Sequence, residues 1–256
     1  MSINTVHKVE KMDILLLSNG KIAGNQHVME FASEAVVEQI KRTGAKNLVL
    51  IPYAVIRSSH DERVALVQET FDALGLDCKV TGLHRADDPV KAIQEAEGIL
   101  VSGGNTWVLN KTLHDLGLVG PIRKAVLDQG IPYIGWSAGT NITCPTIRTT
   151  NDMPIITGAV LSSLNLVPFQ INPHYLEANV EGHMGETRDE RIQEFLEVNQ
   201  HEPVVGIPEG TWLHLLNGEL SYHTANGKPL KLFSHGKDPV YYTAEQSVQF
   251  LMAHSC

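Results

Sequence analysis

The sequence predicts an α/β protein: a three-layer αβα sandwich whose mainly parallel sheet is covered by helices on both faces, with an antiparallel extension at one edge. Three observations point to it. The first half of the chain alternates short apolar runs with segments whose apolar residues recur at helical spacing. Most of those short runs are continuously apolar at their centres, as strands buried on both faces must be. The second half carries Asn217-Gly218 and Asn226-Gly227, dipeptides that favour the tight turns between antiparallel strands.

Strands are expected over residues 13–18 (DILLLS), 47–54 (NLVLIPYA), 78–84 (CKVTGLH), 98–101 (GILV) and 131–134 (IPYI). Between them, the clearest helix starts near Gln26, with Val28, Ala32, Ala35, Val36 and Ile40 on one face and Gly44 placed to cap its end. A second helix covers 61–74, where Val64, Val67, Phe71 and Leu74 share a face, and shorter ones cover 89–96, 106–116 and 121–129. The second half is less regular. Strands are expected at 166–171, 203–207, 212–216, 219–223 and 230–233, with an amphipathic helix at 186–198. No linker, repeat or low-complexity tract divides the chain, which favours one domain.

Bulk composition excludes several classes. A formal net charge of -9 leaves no clustered Lys and Arg for a nucleic-acid footprint. Cys78, Cys144 and Cys256 show neither CxxC nor zinc spacing, so a reducing compartment and free thiols are expected. The first residues lack an apolar signal core, and no apolar run approaches the roughly 18 residues of a membrane span. The expectation is a cytoplasmic protein without a membrane partner.

The chemistry is concentrated in Gly135-Trp136-Ser137-Ala138-Gly139, a Gly-x-Ser-x-Gly turn placed after an apolar strand and before a helix-compatible segment. Such a turn holds Ser137 exposed as a nucleophile, and its glycines avoid clashes that side chains would cause. A serine nucleophile needs a base. Of 12 histidines, His174 is the best placed, because it ends an apolar run and follows Asn172-Pro173. His84, His114 and His214 read as structural; His7, His60 and His254 read as exposed. The acid that orients the base stays open between Asp152 and Glu209, both in loop-like contexts where catalytic residues concentrate. The Ser102-Gly103-Gly104-Asn105-Thr106 run follows a buried strand and opens a helix. There the Gly104 amide, together with that of Ala138, can serve an oxyanion. A phosphate loop is the rival reading of the same run, but neither nucleotide-binding glycine pattern is present. His174, Glu177, Glu181, His183 and Glu186 concentrate metal-ligand types without metal-ligand spacing, so a solvated loop is expected and no metal.

Taken together, Gly135-Trp-Ser-Ala-Gly, the eleven-residue block Cys144-Pro-Thr-Ile-Arg-Thr-Thr-Asn-Asp-Met-Pro154, Gln170-Ile-Asn-Pro-His174 and Gly185-Glu-Thr-Arg188 resemble the peptidase E family of α-aspartyl dipeptidases. The Leu-Leu-Leu-Ser-Asn opening and the Gly-Gly-Asn-Thr run agree. The similarity extends from about residue 12 to about residue 227, which leaves residues 1–11 as an N-terminal extension before a single peptidase domain at 12–256. The resemblance implies a fold like that of class I glutamine amidotransferases, with serine in place of cysteine. It also implies metal-free cleavage, without a cofactor, of dipeptides that begin with aspartate. Carried onto this chain, the nucleophile is Ser137 and the base His174. The third member is Asp152, preferred for its loop position and the family match, or Glu209. Arg188 is the arginine that reads the substrate side chain, and Gly104, Asn105 and Ala138 line the site. Ser102 departs from the family, which often has another glycine there.

The expected partner is therefore a small Asp-X peptide. The sequence leaves open the residue after the aspartate and the oligomeric state, a homodimer included. A cyanophycinase-like hydrolase, an α/β-hydrolase-type esterase and a non-catalytic small-molecule binding protein on the same scaffold are the competing readings.

Overall fold

Five apolar strands set the frame: β1 (Asp13–Leu17), β2 (Asn47–Ile51), β3 (Lys79–Gly82), β4 (Gly98–Val101) and β5 (Tyr133–Trp136). The computed structural model describes residues 12–177 and 185–253. The five strands run parallel in the order β3-β2-β4-β5-β1, and β8 (Thr211–Leu216) and β9 (Glu219–Thr224) continue the sheet antiparallel beyond β1. Every residue of β1 is buried. Its alternate side chains enter different cores, Ile14 and Leu16 on one face, Leu15 and Leu17 on the other. Burial on both faces is why the strand has no polar alternation.

Helices α1 (Ser33–Thr43) and α2 (His60–Ala73) cover one face through Val36, Ile40, Val67 and Phe71. Helices α3 (Pro89–Glu95), α4 (Thr106–Asp115) and α5 (Val119–Arg123) cover the other through Ile93, Leu109, Leu113 and Ile122. The expected three-layer αβα sandwich is therefore the observed one. Local signals behave as chemistry requires: Gly44 closes α1 at φ 68°, and Ser59 and Glu62 form a reciprocal cap at the start of α2.

A second sheet lies beyond what the sequence suggested. β6 (Gln170–Tyr175), β7 (Val204–Pro208), β10 (Leu230–Phe233) and β11 (Val240–Tyr242) form it in the order β11-β10-β7-β6. Ile171, Val205 and Ile207 join the main core, while α7 (Arg188–Val198) packs on Val204 and Phe233 through Ile192 and Leu196. Only β8 and β9 form the expected edge extension; residues 230–233 pair with β7 instead. The expected strand at 166–171 is shifted to β6 because Leu166, Val167 and Phe169 are buried as packing groups outside any ladder. The strand then runs through Pro173, which an edge strand tolerates. The helix expected from Gln26 begins at Ser33, since Met29 is buried at φ 62° and the Glu30 carboxylate caps the Gln26 and His27 amides. A wider turn over Lys124–Asp128 continues α5, and β5 starts two residues late because Pro132 has no N–H for the ladder. His60, expected exposed, is half-buried against Tyr53 and His84.

At the amino end of β1, Asp13 is almost fully buried and anchors α1 and β8 to the sheet. Its carboxylate accepts from Gln39 Nε2 (2.9 Å) and Arg42 Nη2 (2.8 Å), and lies 2.9 Å from His214 Nε2. Burial pushes its pKa up, but the hydrogen bonds from His214, Gln39 and Arg42 outweigh that and hold it below the usual carboxylate value. A depressed folded pKa contributes stability above the unfolded value, near about 3.9, that is lost as pH falls through the folded one. Asp13→Ala should therefore lose about 2 kcal/mol in urea unfolding at pH 7, because the Arg42 guanidinium and the half-buried His214 lose their carboxylate partner, while Gln39 Nε2 keeps only the Asp13 and Tyr133 carbonyls. The gap from wild type should hold down to about pH 5 and shrink below about pH 4. A gap independent of pH would show that charge plays no part.

Candidate active site

Ser137 sits between β5 and helix α6 (Ala138–Asn141) with φ 55° and ψ −113°, a strained geometry for a non-glycine residue. The turn closes because its flanks have no side chains. A β-carbon on Gly139 would lie 2.1 Å from the Val101 carbonyl oxygen, and one on Gly135 would lie 2.4 Å from that of Gly139. Tyr133 Oη, fully buried, donates to Gly139 O at 2.6 Å and locks the turn from below.

His174 approaches from the second sheet. It occupies a register shift between β6 and β7, with φ 52°. Such a bulge re-aims a side chain out of the ladder. Its Nε2 is 2.7 Å from Ser137 Oγ, and its Nδ1 is 2.7 Å from Glu209 Oε1. With Nδ1–H donating to the carboxylate, Nε2 is left to accept the serine proton. Glu209 follows β7, where Gly210 turns at φ 82°. The side chains of His174 and Glu209 are 39% and 54% exposed, so the pair faces solvent.

Asp152 is not the group on His174. Its Oδ2 accepts from Thr106 N (2.7 Å), Thr106 Oγ1 (2.6 Å) and Thr150 Oγ1 (3.1 Å), which ties its loop to the start of α4. The preference for Asp152 over Glu209 is thus corrected by geometry. An Asn-Asp pair in a polar loop finds the nearest free helix amides, and those belong to α4. Asn105 is also committed to scaffolding, since its Oδ1 caps Val108 N and its Nδ2 donates to Met153 O. The glycine loop does reach Ser137: a β-carbon on Gly103 would meet Ser137 Cβ at 2.9 Å. Gly104 adopts φ 145° against the Ala54 carbonyl, which no side chain could share. The Ala138 amide opens α6 and has no intrahelical acceptor.

Arg188, first residue of α7, borders a cavity of ≈ 310 Å³ with Asn151, Asp152 and Asn172. Its Nη1 donates to Asn172 Oδ1 (3.2 Å) and to the His174 backbone carbonyl (3.4 Å), which ties it to the His174 segment of β6. Burial, and the neighbouring Arg191, hold its pKa below the ordinary arginine value. Adjacent Asp189 does not neutralise it, because Asp189 Oδ2 accepts from the buried Lys231 Nζ at 2.6 Å. Lys231 Nζ also donates to Glu177 (2.6 Å).

Three residues that the sequence reading did not single out complete the site. Ser18 Oγ donates to Ile207 O (2.8 Å) and accepts from His174 N (2.9 Å). Asn19 Oδ1 accepts from Gly210 N (2.9 Å), and Asn226 Nδ2 donates to Glu209 O (2.8 Å). The available signal was the polar Ser18-Asn19 pair at the carboxyl end of a buried strand, where open α/β sheets bind ligands. Among the described residues no group of three His, Cys, Asp or Glu is disposed to hold a metal ion; Glu181 and His183 lie outside them.

The model of peptidase family S51 matches residues 14–222, which include Ser137, His174, Arg188 and Glu209. The chain belongs to that family. Peptidase E of Salmonella newport (strain SL254) is 45% identical over 208 residues, 81% of this chain and 88% of the relative. Peptidase E of Escherichia coli O6:K15:H31 is 42% identical over 231 residues, covering 90% and 96%. Among solved structures, a putative peptidase E from Listeria monocytogenes EGD-e superposes with a TM-score of 0.61 at 20% identity, over 83% of this chain and 98% of that one. A peptidase from an acI-B1 Actinobacterium gives 0.67 at 19% identity, over 93% and 98%. These two similarities concern the fold. The family and its curated relatives make this chain a peptidase.

The contacts of His174 rank the two acids. Glu209→Gln should lower kcat for peptide hydrolysis by about a hundredfold or more, since an amide cannot stabilise the imidazolium. Asp152→Asn should keep kcat within about tenfold. Equal or reversed losses, measured on purified variants with unchanged melting temperature, would return the role to Asp152.

Proposed function

We propose that the protein is a serine dipeptidase that hydrolyses dipeptides with an N-terminal aspartate. The observation that carries this reading is the Ser137–His174–Glu209 chain of contacts beside a half-buried Arg188 that has no carboxylate partner among the described residues. Its resemblance to α-aspartyl dipeptidases supports the same substrate.

The chemistry follows from the contacts. Ser137 Oγ attacks the scissile carbonyl carbon while its proton passes to His174 Nε2. The Gly104 and Ala138 amides receive the developing oxyanion, for which fixed dipoles need no reorganisation. The imidazolium, held by Glu209, gives its proton to the leaving amine as the C–N bond breaks. Water then attacks the aspartyl ester, transferring a proton to His174, and the serine is released protonated.

Specificity rests on charge. With a net charge of -9, the molecule as a whole repels an anionic side chain, so a local cation must reverse the field at the site. A guanidinium can hold both oxygens of a carboxylate at once. Asparagine has nearly the same shape but lacks the charge and one acceptor, which would leave Arg188 poorly satisfied.

Asp-Leu hydrolysis by wild type and Ser137→Ala, side by side, tests the reading. The serine variant should lose nearly all turnover, and adding His174→Ala should cost little more, because the pair acts as a unit. Arg188→Met should reduce kcat/KM for Asp-Leu by at least about a hundredfold, roughly 3 kcal/mol, and narrow the gap between Asp-Leu and Asn-Leu. A Ser137→Ala enzyme that keeps more than about a tenth of its turnover would remove serine catalysis. Equal loss on both substrates in Arg188→Met would make that arginine structural.

A further inference from the structure

A second cavity, of ≈ 330 Å³, is lined among others by Arg57, Ser58, Arg63, Gly104, Asn105 and Asp152. It shares Asp152 with the Arg188 cavity and begins at Gly104, the loop residue beside the nucleophile. The segment that carries Arg57 is seated on that loop: Asn105 N donates to Ala54 O at 2.8 Å. The two cavities thus have Asp152 as a common wall, and the second reaches the glycine loop that packs on Ser137.

Arg63 gives this second cavity its character. It projects from the first turns of α2 and is half-buried. Its Nε is fully shielded and has no hydrogen-bond partner among the described residues. No carboxylate of the described residues forms an ion pair with it, although Asp61 and Glu62 precede it: Asp61 pairs with His84 and Arg85, and the Glu62 carboxylate caps Ser59 N. Burial lowers its pKa with no charge to offset it. A desolvated, unpaired guanidinium is costly in a folded chain unless an anion joins it. Arg57 adds an exposed cation at the rim.

We propose that this cavity binds the free α-carboxylate of the leaving residue, with Arg63 as its counter-ion and Arg57 in support. The inference rests on the dipeptidase reading and deepens it. In a dipeptide the terminal carboxylate lies only about one residue, ~3.8 Å between α-carbons, beyond the scissile carbonyl. With the carbonyl oxygen at the Gly104 amide, that carboxylate enters the cavity which Gly104 borders. In a longer peptide the same place holds a neutral amide, which leaves Arg63 without a counter-charge. Arg63 is thus a specificity-determining residue that selects for length: it favours Asp-X over Asp-X-Y.

The test compares Asp-Leu with Asp-Leu-amide, which differ only at that carboxylate, in wild type, Arg63→Met and Arg63→Lys. Wild type should prefer the acid by at least about thirtyfold in kcat/KM, mainly through KM. Arg63→Met should lose about that factor on the acid, while its rate on the amide changes less than about threefold. Arg63→Lys should recover part of the loss, because a point charge without the planar fork can still attract the carboxylate. Equal hydrolysis of acid and amide by wild type would overturn this inference and leave the Asp-X dipeptidase standing. Equal losses on both substrates in Arg63→Met would make the residue structural and overturn it as well. Hydrolysis of neither by wild type would overturn the proposed function and this inference with it. If Arg63→Met fails to fold, the wild-type comparison together with Arg63→Lys still decides.

Discussion

Ser137 and His174, the proposed nucleophile and base, are carried by different sheets, and their contact depends on three consecutive residues that fasten those sheets together. Leu17 O, at the carboxyl end of β1, accepts from Ser137 N (3.1 Å) and Thr140 Oγ1 (2.6 Å). Ser18 Oγ bridges Ile207 of β7 and His174 of β6, and Asn19 holds the turn after Glu209 through Gly210. Ser18 and Asn19 are both buried. Each bond contributes only about 1 kcal/mol net, but a buried group left unpaired costs about 1–3 kcal/mol, so the arrangement resists partial opening. A catalytic constellation has to be held to within roughly half an ångström. Here the tolerance is set by a central strand, hydrogen-bonded on both sides, and not by the loops that carry the side chains.

That fastening also explains how two strained residues can face one another. Ser137 and His174 both have positive φ, a conformation that costs on the order of 1–3 kcal/mol for a non-glycine residue. The supports are separate. On the serine side they are the side-chain-free contact between Gly139 and Val101 and the Tyr133 hydroxyl. On the histidine side, Asn151 Nδ2 donates to Pro173 O (2.8 Å), while Asn172 Nδ2 donates to Thr149 O and Asn151 Oδ1 (both 2.8 Å). The run from Cys144 to Pro154, the most specific stretch of the sequence, is thus mainly a splint along β6. Thr149 Oγ1 and Asn141 Nδ2 both reach Ile171 O at 2.9 Å, and Asp152 ties the end of the run to α4.

What could be read from the sequence follows from how local its physical cause is. The parallel strands were legible because burial on both faces leaves an unbroken apolar run, and Ser137 was legible because only glycines can flank such a turn. The shift of β6 was not, since Leu166, Val167 and Phe169 are as apolar as any strand and only the pairing with β7 decides which residues form the ladder. Nor was the choice between Asp152 and Glu209. Both are acids in turns, and what separates them is that Gly210 and Asn226 hold the Glu209 backbone against His174, contacts that span up to 191 residues of sequence. His174 was legible only in part: its position after Asn-Pro suggested a re-aimed ring, but the bulge needs a partner strand to exist.

The charges of the chain are arranged so that an acidic molecule keeps uncommitted cations where an anion would bind. Arg42 is taken by Asp13, Arg85 by Asp61 and Arg148 by Glu202. Lys231 is buried with its ammonium 4.9–5.6 Å from the ring centres of Tyr175, Phe233 and Tyr241. Burial alone would lower its pKa, but the carboxylates of Asp189 and Glu177 hold it raised. By drawing those two acids to itself, Lys231 leaves Arg188 with hydrogen bonds to an amide and a carbonyl oxygen and no carboxylate ion pair among the described residues. The exposed carboxylates that make the net charge negative act through water, and at physiological ionic strength their field fades over about 8 Å. A half-buried guanidinium is screened far less. On the proposed dipeptidase reading, the carboxylate of an Asp-X substrate would therefore meet weak repulsion at a distance and strong attraction on contact, which favours selectivity at the site over speed of capture.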